Sequence, residues 1–194
     1  MPKISDIQET PNPNAVKFIL REPVTHGIAR SFKTSDEAFE DKLARELFEV
    51  GDVASVFYMD YMITVEKSDY AVWDELLPLL AVPIRAAEAA NGNGNGKENG
   101  ADKSPAEAVG GAIAAAVSDD PRLAQINELL DQRIRPALAG DGGWVDVMSL
   151  TDNVLTLRYQ GACGTCPSSL TGTLMAIEGM IHEQVDPEIE VVAV

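Results

Sequence analysis

Only two cysteines and two histidines occur in the 194 residues. Two cysteines separated by two residues close almost no loop, so a disulfide scaffold that clamps distant segments is excluded. Basic side chains are also scarce, 15 against 31 acidic ones, for a formal net charge of -16. That excludes nucleic acid as a partner, because phosphate contacts need clustered Lys and Arg. It equally disfavours docking on an anionic membrane surface. No apolar run approaches the roughly 20 residues that span a bilayer. The opening MPKISDIQET has no apolar stretch of the signal-peptide kind and no arginine. The expectation is a cytoplasmic, bacterial-like protein, or one of the mitochondrial matrix if the chain is a processed form. What the chain has in quantity is apolar residue, 45%, enough for packed cores.

Composition shifts abruptly at NGNGNGKENG, residues 91–100. Asparagine and glycine bury nothing and cost much entropy to order. This predicts a flexible Asn/Gly-rich linker over 91–118. It joins two small α/β-containing domains of α+β class, at 1–90 and 119–194, and lets them move independently. In the first, apolar runs predict strands at Ala15–Leu20, Ile28–Phe32, Val53–Tyr58 and Met62–Glu66, the last two as a hairpin around Asp60. Helical spacing predicts a helix over Asp36–Phe48, capped by Ser35 or Asp36, with Ala38, Phe39, Leu43, Leu47 and Phe48 as its stripe. A second is expected over Tyr70–Leu80, with Trp73 in the core and Pro78 and Pro83 ending or bending it.

In the second domain, Asp120 followed by Pro121 reads as a cap and first helical residue. Leu123, Ile126, Leu129, Leu130, Ile134 and Leu138 form one stripe up to Gly140. Asp141-Gly142-Gly143 makes a turn. Strands follow at Trp144–Leu150 and Val154–Tyr159, then a glycine-rich loop, a helix at Ser168–Gln184 and a strand at Ile189–Val194. Leu170, Leu174, Ile177 and Ile181 form the stripe of that helix. The segment from 119 on carries 4 basic and 12 acidic residues and no lysine. An anionic group bound there must therefore be stabilised locally, by backbone N–H groups.

The chemistry concentrates in Gly161-Ala162-Cys163-Gly164-Thr165-Cys166-Pro167-Ser168. CxxC spacing lets both sulfurs face one ion or cluster. The helix that starts near Ser168, its expected cap, favours thiolate at its N-terminal end. His26 lies in the other domain and His182 more than four turns down the helix, so neither completes a ligand set. A symmetric dimer doubles two thiolates to four. Disulfide exchange, a zinc site, inert cysteines and an iron–sulfur cluster all remain open on spacing alone. Disulfide exchange is weakened because, beyond the adjoining Pro167, only Pro187 follows the motif, leaving no place for the cis-proline hairpin of a thioredoxin-like fold.

Ile134-Arg135-Pro136-Ala137-Leu138, Asp141-Gly142-Gly143, Leu157 through Cys163 and Cys166-Pro167-Ser168-Ser169 resemble the C-terminal domain of the NifU-like (Nfu) family of iron–sulfur scaffold and carrier proteins. Pro11-Asn12-Pro13-Asn14-Ala15, Lys17-Phe18, Leu47-Phe48 and Val53–Tyr58 resemble the N-terminal domain of its two-domain members. The resemblance implies that Cys163 and Cys166 ligate a [4Fe–4S] cluster shared between two protomers. It further implies a scaffold or carrier, not an enzyme, that transfers clusters to apo-protein clients and has upstream cluster assembly proteins as partners. A zinc-stabilised interaction adaptor and an iron–sulfur electron-transfer protein are the alternatives. Other prominent residues have plainer readings. Trp144 is expected to pack, Asp141, Asn12 and Asn14 to form turns, and Arg158 either to pair near the cluster or to lie on a solvated strand face.

Overall fold

The computed structural model describes residues 3–89, 120–162 and 167–194. The expected linker and both cysteines lie outside the described residues. Two α/β units result, each with its own buried apolar cluster.

The N-terminal unit runs β1 (Ile4–Glu9), β2 (Ala15–Leu20), β3 (Arg30–Phe32), α1 (Lys42–Glu49), β4 (Val53–Met59), β5 (Met62–Lys67) and α2 (Trp73–Ala86). The sheet order is β1-β2-β5-β4-β3, with every pair antiparallel. Side chains alternate across a strand. Val16, Phe18 and Leu20, Val56 and Tyr58, and Ile63 and Val65 therefore share one face. They pack there with Leu47 of α1 and Leu76, Leu80 and Ile84 of α2. The opposite face bears on the site below.

Three expectations need correction. Strand β1 was not expected, because ISDIQE is an almost wholly exposed edge with no apolar face to betray it. Helix α1 begins at Lys42, not Asp36, and neither Ser35 nor Asp36 caps it. Asp41 is the cap, accepting from the Ala44 N–H at 2.9 Å. The cap is fixed from outside, by Arg30 at 2.6 Å and by the Tyr58 hydroxyl, which donates to the same carboxylate. Residues before it form turns instead, and Phe39 is exposed at 72%. Helix α2 passes through Pro78 and Pro83 to Ala86 rather than ending near Leu80. Each proline removes one helical hydrogen bond. Burying Leu76, Leu80 and Ile84, at about 2 kcal/mol each, outweighs that loss.

The C-terminal unit runs α3 (Pro121–Leu129), a π-helical turn (Leu130–Ile134), α4 (Arg135–Gly140), β6 (Gly143–Thr151), β7 (Val154–Gly161), α5 (Pro167–Gln184) and β8 (Glu190–Ala193). Strand β7 is central, antiparallel to β6 and parallel to β8. Asp120 caps α3 as expected. The single expected helix is broken into α, π and α because Pro136 has no N–H to return to the preceding turn. The β6–β7 turn places Asp152 and Asn153 at φ 49° and 62°, the paired left-handed conformation that a two-residue hairpin needs. Ile126, Leu130, Leu155, Leu157, Ile177, Ile181 and Ile189 are fully buried between the helices and one sheet face. Of the predicted α5 stripe, Leu174 packs at the edge of this cluster, and the Leu170 side chain lies outside the described residues.

Candidate functional site

The cysteine segment starts where the β6–β7 pairing ends. Gly143 and Gly161 form the last pair of the ladder, and the Ala162 N–H donates to the Gly142 carbonyl at 3.1 Å. Cys163 follows directly. At the other end, Cys166 directly precedes α5, an 18-residue helix opening at Pro167. The strand end and the helix N-terminus thus frame the two thiols in the chain, and the helix end carries partial positive charge. The helix opens one residue before the expected Ser168. The cap at its start is outside the described residues.

Two glycines make this base possible. Gly142 and Gly161 have φ of +79° and +67°, conformations costly for any residue with a Cβ. A Cβ on Gly161 would also fall 2.5 Å from the Gly142 carbonyl oxygen.

Arg135 anchors the same corner, and nothing in its local spacing announces it. Buried at 9% exposure, it donates through Nε to the Val145 carbonyl at 3.0 Å. Its terminal nitrogens reach Asp131 at 2.6 Å and Asn127 at 3.1 Å. Its guanidinium lies over the Trp144 ring, 5.5 Å from the centroid. Helix and strand are therefore locked together across the Asp141–Gly143 turn. Trp144 packs, as expected, and its indole N–H donates to Asp146 at 3.1 Å. Burial pushes the Asp146 carboxyl up, against the pull of the Trp144 N–H and the Arg135 and Arg158 charges. Gln160 donates to the same carboxylate. Arg158 is half-buried on this strand face and acts on Asp146.

The remaining candidates sort plainly. Asp141 is an exposed turn residue whose N–H closes α4 on the Ala137 carbonyl at 3.1 Å. His182 lies in the last turn of α5 and meets the Ile189 carbonyl at 2.6 Å. His26 belongs to the N-terminal unit, as expected. Among the described residues no group of three or more His, Cys, Asp or Glu side chains could hold a metal ion, and no helix is long and apolar enough to cross a membrane. Asn12 and Asn14 build a turn: the Asn12 amide oxygen accepts from the Asn14 N–H at 3.0 Å, and its amide nitrogen donates to Glu66 at 3.2 Å.

The N-terminal unit touches this corner, which a tether with freely moving units did not anticipate. Lys17 donates to the Gly140 carbonyl at 2.5 Å and reaches that of Ala139 at 3.4 Å. A Cβ on Gly142 would meet the side chains of Thr64 at 3.0 Å and Thr10 at 3.2 Å, and one on Gly161 would meet Phe57 at 2.9 Å.

A pair of α/β units, one ending in a strand–CxxC–helix corner, matches the iron–sulfur scaffold class. Residues 126–192 match the NifU-like domain family and residues 4–89 the N-terminal domain of Nfu/NifU scaffold proteins. The chain is 36% identical over 184 residues to a human protein named NFU1 iron-sulfur cluster scaffold homolog, mitochondrial, covering 94% of this chain and 68% of that one. It is 33% identical to NifU-like protein 5, mitochondrial, of Arabidopsis thaliana, covering 92% of this chain and 63% of the relative. A crystal structure of the Staphylococcus aureus protein SAV1430 is 28% identical, with a TM-score of 0.38, over 42% of this chain and 96% of that one. The chain belongs to the NifU/Nfu family of iron–sulfur cluster scaffold proteins, in its form with an N-terminal Nfu domain and a C-terminal NifU domain. Members of that family are carriers rather than catalysts.

Proposed function

We propose that two copies of this chain present Cys163 and Cys166, four thiolates in all, to one [4Fe–4S] cluster and pass that cluster to apo-proteins. The cluster is cargo. Transfer is ligand exchange: a client thiolate binds an iron as a carrier thiolate leaves it, with no net redox change. The observation that carries the reading is the frame around the thiols. The only two cysteines of the chain stand between a strand end pinned by Gly142 and Gly161 and the N-terminus of α5. A bridge between protomers supplies the two ligands a single chain lacks. The division into 1–90, a 91–118 linker and 119–194 is supported by the two separate apolar clusters. The compartment proposed is a reducing one, cytoplasm or mitochondrial matrix, because oxidised cysteines cannot ligate iron. Upstream assembly proteins would supply the cluster, and apo iron–sulfur enzymes would take it.

Anaerobic reconstitution with iron and sulfide tests the proposal. One four-iron cluster per two chains is the expected stoichiometry, lost on Cys163→Ala or Cys166→Ala with the fold intact. A full cluster on a monomer would sink the shared site. A colourless protein that takes up stoichiometric zinc and no iron would favour the adaptor. A stable cluster that exchanges electrons but never reaches an apo-protein would favour electron transfer.

A further inference from the structure

The outer face of the N-terminal sheet carries a cross-strand row that its own core does not explain. Gln8, Lys17, Thr64, Phe57 and Ser31 are aligned across β1, β2, β5, β4 and β3. Phe18, Ile63 and Val56 face the helices, so their neighbours Lys17, Thr64 and Phe57 point the other way. Yet these three are only 5%, 2% and 1% exposed. What covers them is the C-terminal unit. The Lys17 ammonium lies on the last carbonyls of α4, those of Ala139 and Gly140, at the negative end of the helix dipole. Thr64 and Thr10 abut Gly142, and Phe57 abuts Gly161. The Asn12 turn holds Thr10 in place, the Thr10 hydroxyl donating to the Asn12 carbonyl at 2.9 Å. The sheet therefore seats on the same bare glycine backbone that forms the base of the cysteine segment.

We infer that the N-terminal sheet is a releasable shield, docked on the edge formed by residues 139–143 and 160–162 of its own chain and latched by Lys17. Docked, it restricts approach to the thiols that follow Ala162; released, it lets a second copy or a client in. The inference rests on the carrier reading of the site and adds regulation to it. Two observations favour release over permanent fusion. The Thr64 hydroxyl oxygen in the docked row is buried without a hydrogen bond among the described residues, and it gains water when the contact opens. Residues 90–119 also supply enough chain to keep the units joined when apart.

The test uses the reduced, cluster-free full chain, by small-angle scattering and by the rate at which a maleimide alkylates Cys163 and Cys166. Lys17→Glu places a carboxylate against two carbonyls. It should enlarge the radius of gyration and speed alkylation by about tenfold, the gain expected when a mostly closed state becomes mostly open. Lys17→Arg, which keeps the cation, should stay compact and slow. Thr64→Glu, in the same row, repeats the test should Lys17→Glu not fold, as judged by circular dichroism. Unchanged scattering in a folded Lys17→Glu and Thr64→Glu would overturn docking. Expansion without faster alkylation would overturn shielding. Iron uptake, measured separately, decides the carrier reading: normal uptake with unchanged alkylation removes the shield alone, and faster alkylation with no uptake removes the carrier alone.

Discussion

Gly161 meets two demands at once, a positive φ and a neighbouring carbonyl 2.5 Å from where a Cβ would lie. Alanine there should cost about 2 kcal/mol or more, from left-handed strain plus the shift needed to clear that oxygen. Because Cys163 is two residues on, Gly161→Ala should also lower iron retention. Urea unfolding and iron content of reconstituted protein measure the two effects, and a variant normal in both would remove the glycine from the site's construction. Arg135 makes a second, separable prediction. Arg135→Ala leaves the Val145 carbonyl without its partner in a buried corner and strips the face of Trp144. A loss of about 2–3 kcal/mol is expected, the range for hydrogen bonds to a charged donor. Arg135→Lys should recover little, because one ammonium cannot span Val145, Asp131 and Asn127 in a fork. A lysine variant as stable as the parent would refute the fork. The cysteine pair and the turn role of Asp141 were legible in the sequence because CxxC spacing and Asp-Gly-Gly speak locally. Arg135 was not. Its partners lie 4, 8 and 10 residues away on three elements, a constellation that only the folded corner brings together.

Between elements, the same contrast explains which boundaries the pattern could locate. The start of α3 was readable because Asp120 and Pro121 are local signals. The start of α1 was not, because Asp41 becomes the cap through Arg30 and Tyr58, distant residues that hold its carboxylate. Asp120 also takes part in the Arg122 junction that ties α3 to the β6–β7 turn and to the entry of β8. The Arg122 guanidinium lies 2.7 Å from both Asp120 and Asp186 and 2.9 Å from the Asn153 amide oxygen. Hydrogen bonds from the Arg122 side chain and N–H hold the Asp120 carboxyl low. The Glu188 N–H, and then Arg122, do the same for Asp186. Both carboxyls are thus more acidic folded than unfolded. The stability they contribute is complete above the ordinary carboxylate value of 3.8 and is lost as pH falls through the lowered folded values. Arg122→Gln removes a common cause of both shifts. Its melting temperature should be lower than the parent's at pH 7, and the gap should narrow as pH approaches 3. Thermal melts between pH 3 and 7 check this, and a gap that stays constant would show that the junction is not electrostatic.

At the scale of the whole molecule, division into two units was legible in the composition of residues 91–100, but their contact was not. Lys17, Thr64 and Phe57 read locally as ordinary strand residues; only the fold places Gly140, Gly142 and Gly161 opposite them. If the docked sheet covers the edge that a second copy must approach to share a cluster, docking and dimerisation compete. A fragment beginning near Asp119 has its own buried cluster, from Ile126 to Val191, and every cysteine of the chain, so it should fold and load. It should also form the cluster-bridged dimer at about tenfold lower protein concentration than the full chain, since no fraction of it is held closed. Full-length Lys17→Glu should behave like the fragment, and Lys17→Arg like the parent. Sedimentation of reconstituted protein over a dilution series measures the midpoint of each. Identical midpoints for parent, fragment and Lys17→Glu would mean that the N-terminal unit leaves the dimer edge clear. A fragment that folds but binds no iron would place part of the cluster site on the N-terminal unit, where the only residue of metal-binding type beyond the carboxylates is His26.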